Sequence, residues 1–326
     1  PNAPTAPPSA SSMSEPVPYL TGERLRALLP PGEALAAVQD FFGAHRREDV
    51  AVPQRIHLPV PGQETTGLYM PAATPRYVAL KSVHLMPRRF PSVEAEVFLY
   101  DAETGRLLCW GDGKPMTALR TAAVSTAATL RLLPRCRSLL VYGAGVQAAA
   151  HVAAFAAAYG ELETVWAVTR SPASFERLQA ALPSALRARL HACTAPEQAL
   201  GTVDCVVTTT PAPRPLFAWE RLGPRCHVVG IGSATHAMNE LPPQAFLEGR
   251  VWLDTRGAIA EAGDLRAALA LGWTEDRLAG DLFDLLGPGG APQRGPGRTV
   301  FKSVGHAAQD LAVLIRLWER LQAAGA

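Results

Sequence analysis

A short glycine motif near the middle of the 326-residue chain has the spacing of a pyrophosphate-binding turn. It reads Gly-Ala-Gly-Val-Gln-Ala from residue 143, follows an apolar run typical of a strand, and opens a segment typical of a helix. Glycines permit a tight turn and close approach of phosphate, whose charge free N–H groups and the helix dipole stabilise. The sequence therefore predicts a dinucleotide site formed by Gly143, Gly145, Val146, Gln147 and Ala148.

The second predicted strand ends at Thr169, Arg170 and Ser171, where an NAD-binding chain usually has an acidic residue for the ribose hydroxyls. A guanidinium and two hydroxyls suit a 2′-phosphate better than a bare ribose. The alternative is that Arg170 is simply a solvated surface residue. We expect NADPH as the cofactor, and use of NADH stays open.

Predicted strands and helices alternate around the glycine motif. The strands are 138–142, 164–168, 204–209, 227–231 and 251–254, and the helices between them are 147–159 and 173–182. This alternation predicts an α/β fold with a doubly wound parallel sheet of the Rossmann type.

The first hundred residues predict mixed α and β structure with an antiparallel sheet. Two short helices, the second starting near Pro31, precede predicted strands at 77–83, 95–100 and 106–110, the last two joined by a turn at Thr104 and Gly105. A helix over 117–133, with Thr117 as its N-cap, would bridge the two domains.

Near the C-terminus, the composition of 287–297 predicts a loop. A final helix over 303–321 has a broad apolar face that must pack on the first domain or across a dimer interface.

Composition limits the classes of partner. The formal net charge is only +2, from 31 basic and 29 acidic residues, so the chain has no strong positive field that would attract nucleic acid or an anionic membrane. The five scattered cysteines, without a Cys-x-x-Cys pair, indicate free thiols in a reducing cytoplasm, and no residue cluster has metal-ligand spacing. Residues 1–18, rich in proline and serine, are predicted to be disordered.

Several stretches together resemble the ornithine cyclodeaminase and mu-crystallin family. They are 117–123 (Thr-Ala-Leu-Arg-Thr-Ala-Ala), 143–148, 232–241, 261–265 (Glu-Ala-Gly-Asp-Leu) and 299–305 (Thr-Val-Phe-Lys-Ser-Val-Gly). The resemblance implies a homodimer in which an α+β substrate-binding and dimerisation domain, 19–116 with 303–326, accompanies a Rossmann domain over 117–302.

The resemblance also implies roles for three basic residues. Arg120 and Arg55 match contacts to the substrate carboxylate, Lys81 matches the active-site lysine, and Gly232 matches a residue beside the cofactor. A guanidinium can hold a carboxylate through two parallel hydrogen bonds, and burial could tune Lys81 for proton transfer. The alternatives are that Arg120 pairs with a buried carboxylate and that Lys81 is an exposed strand lysine. Nearby His57 and His84 are assigned no role.

The function that the resemblance implies is NAD(P)H-dependent reduction of a cyclic 2-imino acid to an L-amino acid. Ornithine cyclodeamination, 2-amino acid dehydrogenation and non-catalytic binding of a small molecule with NADPH are the alternatives. Cyclodeaminases of the family carry an aspartate where this chain has Ala234, and His236 is the nearest substitute base. We therefore expect that ornithine is not a substrate.

Overall fold

A computed structural model describes residues 16–233, 235–290 and 295–325. The chain folds around two sheets. Six strands form the first sheet, and they are β1 (Tyr19–Leu20), β2 (Ile56–Pro59), β3 (Thr66–Ala73), β4 (Tyr77–Leu85), β5 (Val93–Asp101) and β6 (Leu107–Asp112). Their order is β1-β6-β5-β4-β3-β2, and every pair is antiparallel except β1 with β6. The expected antiparallel sheet is confirmed.

Eight strands form the second sheet, in which every pair is parallel. They are β7 (Ser138–Tyr142), β8 (Thr164–Val168), β9 (Leu190–Ala192), β10 (Cys205–Thr208), β11 (His227–Gly230), β12 (Arg250–Leu253), β13 (Leu278–Gly280) and β14 (Thr299–Lys302). The order β13-β12-β14-β11-β10-β7-β8-β9 reverses direction between β7 and β10. This is the doubly wound Rossmann arrangement, which places a ligand crevice at the carboxyl ends of those two strands.

The described helices cover both sheets. They are α1 (Gly22–Leu28), α2 (Pro31–Ala44), α3 (Gly113–Leu132), α4 (Val146–Ala158), α5 (Pro172–Ala181), α6 (Ser184–Arg187), α7 (Pro196–Leu200), α8 (Gln244–Leu247), α9 (Ala258–Glu261), α10 (Gly263–Ala270), α11 (Leu282–Leu286) and α12 (Ala307–Ala323). Among these, no helix combines the length and apolar character that crossing a membrane requires.

One face of the first sheet packs on helices α3 and α12, and α2 packs on both of these helices. Residues paired across strands share a face, so Met70, Lys81, Val97 and Gly111 form one row on this inner side. Their apolar members are buried in the core, and Lys81 is buried with them.

The long helix α3 starts earlier than the sequence predicts. It begins at Gly113, and the Asp112 side chain accepts a hydrogen bond from the Lys114 backbone, so Asp112 is the N-cap. Thr117 as N-cap was therefore wrong; its hydroxyl donates to the Gly113 carbonyl inside the helix.

The last helix starts later than predicted. Residues 299–302 form β14 in the middle of the parallel sheet, and α12 begins only at Ala307. Gly305 has φ +78°, a conformation that does not belong to a right-handed helix. The predicted helix start at Ser303 was wrong, although α12 does pack on the first sheet as one of the two expected arrangements.

Two predicted irregular segments lie partly outside the described residues. Residues 1–15 of the predicted disordered segment and residues 291–294 of the predicted loop belong to this group. The five cysteines are free thiols, as expected.

Candidate functional site

The glycine turn lies at the carboxyl end of β7, at the reversal point of the sheet. Gly143 has φ +119°, and a Cβ there would lie 2.5 Å from the Thr209 hydroxyl. A Cβ on Gly145, the N-cap of α4, would meet open space within 4 Å, so a ligand can approach this backbone closely. Ala148 is fully buried, whereas Val146 is exposed. The turn has the shape and the free helix N-terminus that a pyrophosphate needs.

The predicted 2′-phosphate contacts follow β8. Arg170 is exposed, and Ser171 caps α5 by accepting a hydrogen bond from the Ser174 backbone. The Thr169 hydroxyl donates to the Ser171 carbonyl. A hydrogen bond from Gly143 to the Val168 carbonyl keeps this segment beside the glycine turn. Arg170 thus directly follows the strand beside the glycine turn, at the carboxyl end of β8.

Lys81 and Arg120 meet at one carboxylate that the sequence analysis missed. Lys81 Nζ lies 3.3 Å and Arg120 Nε 3.1 Å from the same oxygen of Asp310, on α12. All three side chains are buried. The exposed-lysine alternative for Lys81 was therefore wrong, and the buried partner considered for Arg120 exists.

Burial and charge together set the protonation of this cluster. Burial, reinforced by the Arg120 charge and opposed by Asp310, lowers the pKa of Lys81 to about 8. Burial alone would raise the pKa of Asp310, but the charges of Arg120 and Lys81 outweigh it and lower that pKa. Near neutral pH the cluster thus contains an ammonium with a reduced pKa, suited to releasing a proton.

A second carboxylate orients Arg120 through a glutamine. Arg120 Nη1 donates to Gln309 Oε1, and Gln309 Nε2 donates to Asp254 Oδ2 at 2.9 Å. The same Asp254 oxygen accepts the Gly305 N–H at 2.6 Å. A Cβ on Gly305 would lie 2.6 Å from Arg120 Nη1, so glycine is required where this loop passes the guanidinium.

Arg55 contacts the same loop, at Gly305. Its guanidinium lies 3.0 Å from Glu261 of α9 and donates to the carbonyl of Gly305. Because Glu261 already neutralises Arg55, a substrate carboxylate would have to share or replace that contact.

A cavity of about 300 Å³ connects the cofactor turn with Arg120. Its lining comprises Thr117, Arg120, Thr121, Gln147, Thr209, Thr210, Pro211, Ile231, Gly232, Ser303, Val304 and Gly305. Lys81 and Arg55 are not among these residues. Lys81 contacts Asp310, which also binds Arg120, and Arg55 donates to the carbonyl of Gly305 in the lining. A larger depression, lined by 62–65 and 86–89, lies among the turns of the first sheet and includes the exposed Arg88–Glu64 ion pair.

The structure locates two of the histidines considered in the sequence, but not Ala234, which stands where the cyclodeaminases have an aspartate. Ala234 lies outside the described residues. His236 is exposed, with one ring nitrogen 2.6 Å from the Ala260 carbonyl and the other 3.3 Å from Arg266. His84 lies on the outer face of the first sheet, opposite Lys81, and so does not share its pocket.

A parallel sheet of the Rossmann type with a glycine turn lies next to an antiparallel sheet, and Lys81, Asp310 and Arg120 form a buried cluster beside them. A fold of this type with such a turn belongs to the class that binds dinucleotides. Within that class, the family model for the ornithine cyclodeaminase/mu-crystallin family matches residues 33–325. The chain belongs to this family.

Individual relatives agree with that assignment. Rat ketimine reductase mu-crystallin is 31% identical over 87% of this chain and 88% of its own. Delta(1)-pyrroline-2-carboxylate reductase of Paracoccus denitrificans is 32% identical over 69% and 72%. The structure of the Thermococcus litoralis enzyme of that name, in complex with NADH and L-proline, superimposes with a TM-score of 0.86 at 23% identity, covering 94% of this chain and 98% of that one.

Proposed function

We propose that the protein is an NAD(P)H-dependent reductase that converts a cyclic 2-imino acid, of the pyrroline-2-carboxylate or piperideine-2-carboxylate type, into the L-amino acid. The observation that carries the proposal is the position of Arg120. It lines the same cavity as Gln147 of the cofactor turn and is bonded to the carboxylate that also pairs with Lys81. Two of the relatives described above are named for reductions of this type.

The residues around the turn fit a dinucleotide. The open space at Gly145 admits a pyrophosphate, and the buried Gln147 Oε1 has no hydrogen-bond partner among the described residues. When bound, a reduced nicotinamide supplies the hydride that the imine carbon accepts. Gly143, Gly145 and the N-terminus of α4 would hold the phosphates.

The chain's own residues bind and protonate the substrate. Arg120 holds the substrate carboxylate with the part of its guanidinium that faces the cavity, while Gln309 and Asp310 fix its plane. Lys81 releases a proton towards the ring nitrogen, so imine, hydride and proton together give the amine. Asp310 keeps Lys81 charged until that step. Orientation and fixed charges of this kind can each lower a barrier by several kcal/mol.

Arg170 supports a preference for NADPH. Its exposed guanidinium follows β8, where an acidic side chain would repel a 2′-phosphate. Arg170, with the hydroxyls of Thr169 and Ser171, would bind that phosphate.

The outer face of the first sheet supports a homodimer. Pro71, Leu80, Phe98, Trp110 and Tyr19 form one continuous row across five strands, and Tyr19 is 43% exposed. Ile56 and Leu58 of the edge strand β2 extend this apolar surface on the same face. Two such sheets can pack face to face about a twofold axis, so the expected occupant is a second copy of the chain.

We also propose the division of labour between domains. The first sheet with α12 would bind substrate and form the dimer, because α12 supplies Asp310 and Gln309 and packs on β4. The parallel sheet would bind the cofactor.

A steady-state screen tests the function. Pyrroline-2-carboxylate, piperideine-2-carboxylate and linear 2-imino acids are offered with NADPH and with NADH, and cofactor oxidation is followed. We expect the cyclic imines to be reduced. Binding of NADPH without turnover of any imine would contradict the proposal.

A further inference from the structure

Glu240 lies directly behind the wall of the cavity and has no part in the site as described above. It follows the 232–239 loop and is fully buried. Its two carboxylate oxygens accept four hydrogen bonds, which come from only three residues of two neighbouring strand ends. A buried carboxylate costs free energy unless such donors compensate it, and these four hydrogen bonds supply that compensation.

Each oxygen of Glu240 accepts two of these bonds. Oε1 accepts from the backbone N–H and the hydroxyl of Thr210, the latter at 2.8 Å. Oε2 accepts from the Gly232 N–H at 2.6 Å and from the Thr208 hydroxyl at 3.0 Å. Thr208 ends β10, and Gly232 follows β11, so one carboxylate joins the carboxyl ends of both strands.

Glu240 is itself fixed by a buried ion pair. Asp264 accepts the Glu240 and Leu241 N–H groups at 2.7 and 3.2 Å, and its other oxygen lies 3.2 Å from Lys302 Nζ. Asp264 and Lys302 are both fully buried. Through these bonds the Asp264–Lys302 pair holds the backbone of Glu240 in place and so restricts the movement of its side chain.

The two strand ends are unusually close at this point. A Cβ on Gly232 would lie 2.0 Å from the Thr210 carbonyl oxygen and 2.6 Å from the Glu240 carboxyl carbon. Thr210 and Gly232 both line the cavity that contains Arg120. A change in the Glu240 contacts would therefore move the cavity wall itself.

We propose that Glu240 is a positioning residue for the nicotinamide ring, acting through Thr210 and Gly232. This inference rests on the proposed function, because it assumes that the nicotinamide half of the cofactor crosses from the glycine turn towards β10 and β11. The doubly wound fold supports that path, because the adenosine half of the cofactor would bind on the other side of the turn, beyond β8 and beside Arg170. Glu240 fixes the wall against which the ring lies opposite Arg120.

The test compares two ligands that differ only in the nicotinamide base. Binding of NADPH and of 2′-phospho-ADP-ribose is measured by calorimetry for the unmodified protein and for Glu240→Gln. The glutamine amide nitrogen must face the N–H of either Thr210 or Gly232, because only one of its terminal atoms can accept. We expect NADPH to bind about tenfold more weakly and 2′-phospho-ADP-ribose to change by less than about twofold.

Asp204→Asn is the matched control. Asp204 also joins two strands of the same sheet by accepting from Arg137 and Ser138, but at the amino ends, away from the cavity. We expect it to leave both affinities unchanged. Thr208→Val removes one buried hydroxyl and keeps the side-chain shape. It should weaken NADPH binding by a smaller factor and leave 2′-phospho-ADP-ribose binding unchanged. If Glu240→Gln does not fold, Thr208→Val provides the test instead.

Equal changes for the two ligands, or no change for NADPH in either variant, would overturn the inference. The comparison does not depend on imine turnover. If the unmodified protein binds NADPH but reduces no imine, the proposed function fails while the positioning test still gives its answer.

Discussion

The Lys81 ammonium and the Asp310 carboxylate lie 3.3 Å apart, and both side chains are buried. The pKa of Lys81 is lowered to about 8 mainly by burial, and Asp310 works in the opposite direction. The pair therefore keeps a proton available near neutral pH that an ordinary lysine would release only with difficulty.

The pH dependence of kcat/KM tests this pair. If Lys81 donates a proton, its ammonium form is the active one, so kcat/KM should fall as pH rises through about 8. Asp310→Asn removes the group that stabilises the ammonium, and the alkaline limb should move to lower pH. Glu94→Gln, which removes the exposed partner of Lys114, should leave the profile in place. A wild-type profile that stays flat through pH 8 would exclude Lys81 as the donor.

Arg120→Ala should impair substrate binding and stability but not cofactor binding. Substrate KM should rise and kcat fall, because the carboxylate contact is lost, whereas NADPH affinity should stay within about twofold. The free energy of unfolding should fall by about 3 kcal/mol, the lower end for breaking a buried ion pair, since Lys81 still neutralises Asp310. Kinetics, NADPH titration and urea unfolding of one preparation measure all three. A normal substrate KM with reduced stability would make Arg120 purely structural.

The local pattern was sufficient to predict the glycine turn after β7, whereas Arg120 was selected from the family resemblance, and its role stays a prediction. Asp310 could not be paired with Lys81 in this way, since 229 residues separate them. A signal was nevertheless present: Asp310 lies between apolar residues on the buried side of the last helix, where a charge needs a partner.

The strand β14 was missed for a related reason. Lys302 interrupts its apolar pattern, and only the fold supplies Asp264 to neutralise that charge inside the sheet. The contacts of Glu240 and Glu261 could not be predicted either, because their partners, among them Gly232 and Arg55, follow other strands or lie far away in the sequence.

Cofactor preference should depend on Arg170. Arg170→Ala should narrow the preference for NADPH over NADH by about 1.5 kcal/mol, the lower value for a charged hydrogen bond because the site is exposed. Arg137→Ala removes another exposed arginine, which pairs with Glu163 near the amino ends of β7 and β8, and should not alter the ratio. If the ratio of NADPH to NADH affinity were unchanged in Arg170→Ala, Arg170 would not be the residue that binds the 2′-phosphate.

The oligomeric state should depend on the outer face of the first sheet. Trp110→Glu places a charge in the row formed with Phe98 and Tyr19, so light scattering should show a shift from dimer to monomer. Leu271→Glu is the control. Leu271 is also apolar and is 61% exposed, but it lies at the end of α10, away from this sheet, so the substitution should leave the dimer intact. A monomeric wild-type protein would refute the dimer.

Ornithine should not be cyclodeaminated. The methyl group of Ala234 can neither accept a proton nor orient water, and both ring nitrogens of His236 already lie against other groups. Ammonia and proline are measured after incubation with L-ornithine and catalytic NAD or NADP. Sustained release of ammonia would show that another base takes over.

Transfer of deuterium from the cofactor tests the central claim most directly. Pyrroline-2-carboxylate is incubated with NADPH that carries deuterium at the transferred position of C4, and the product is analysed by mass spectrometry and NMR. We predict L-proline with one deuterium at the α carbon from the unmodified protein and a much smaller yield from Arg120→Ala. Recovery of the imine unchanged, from protein that demonstrably binds NADPH, would contradict the account.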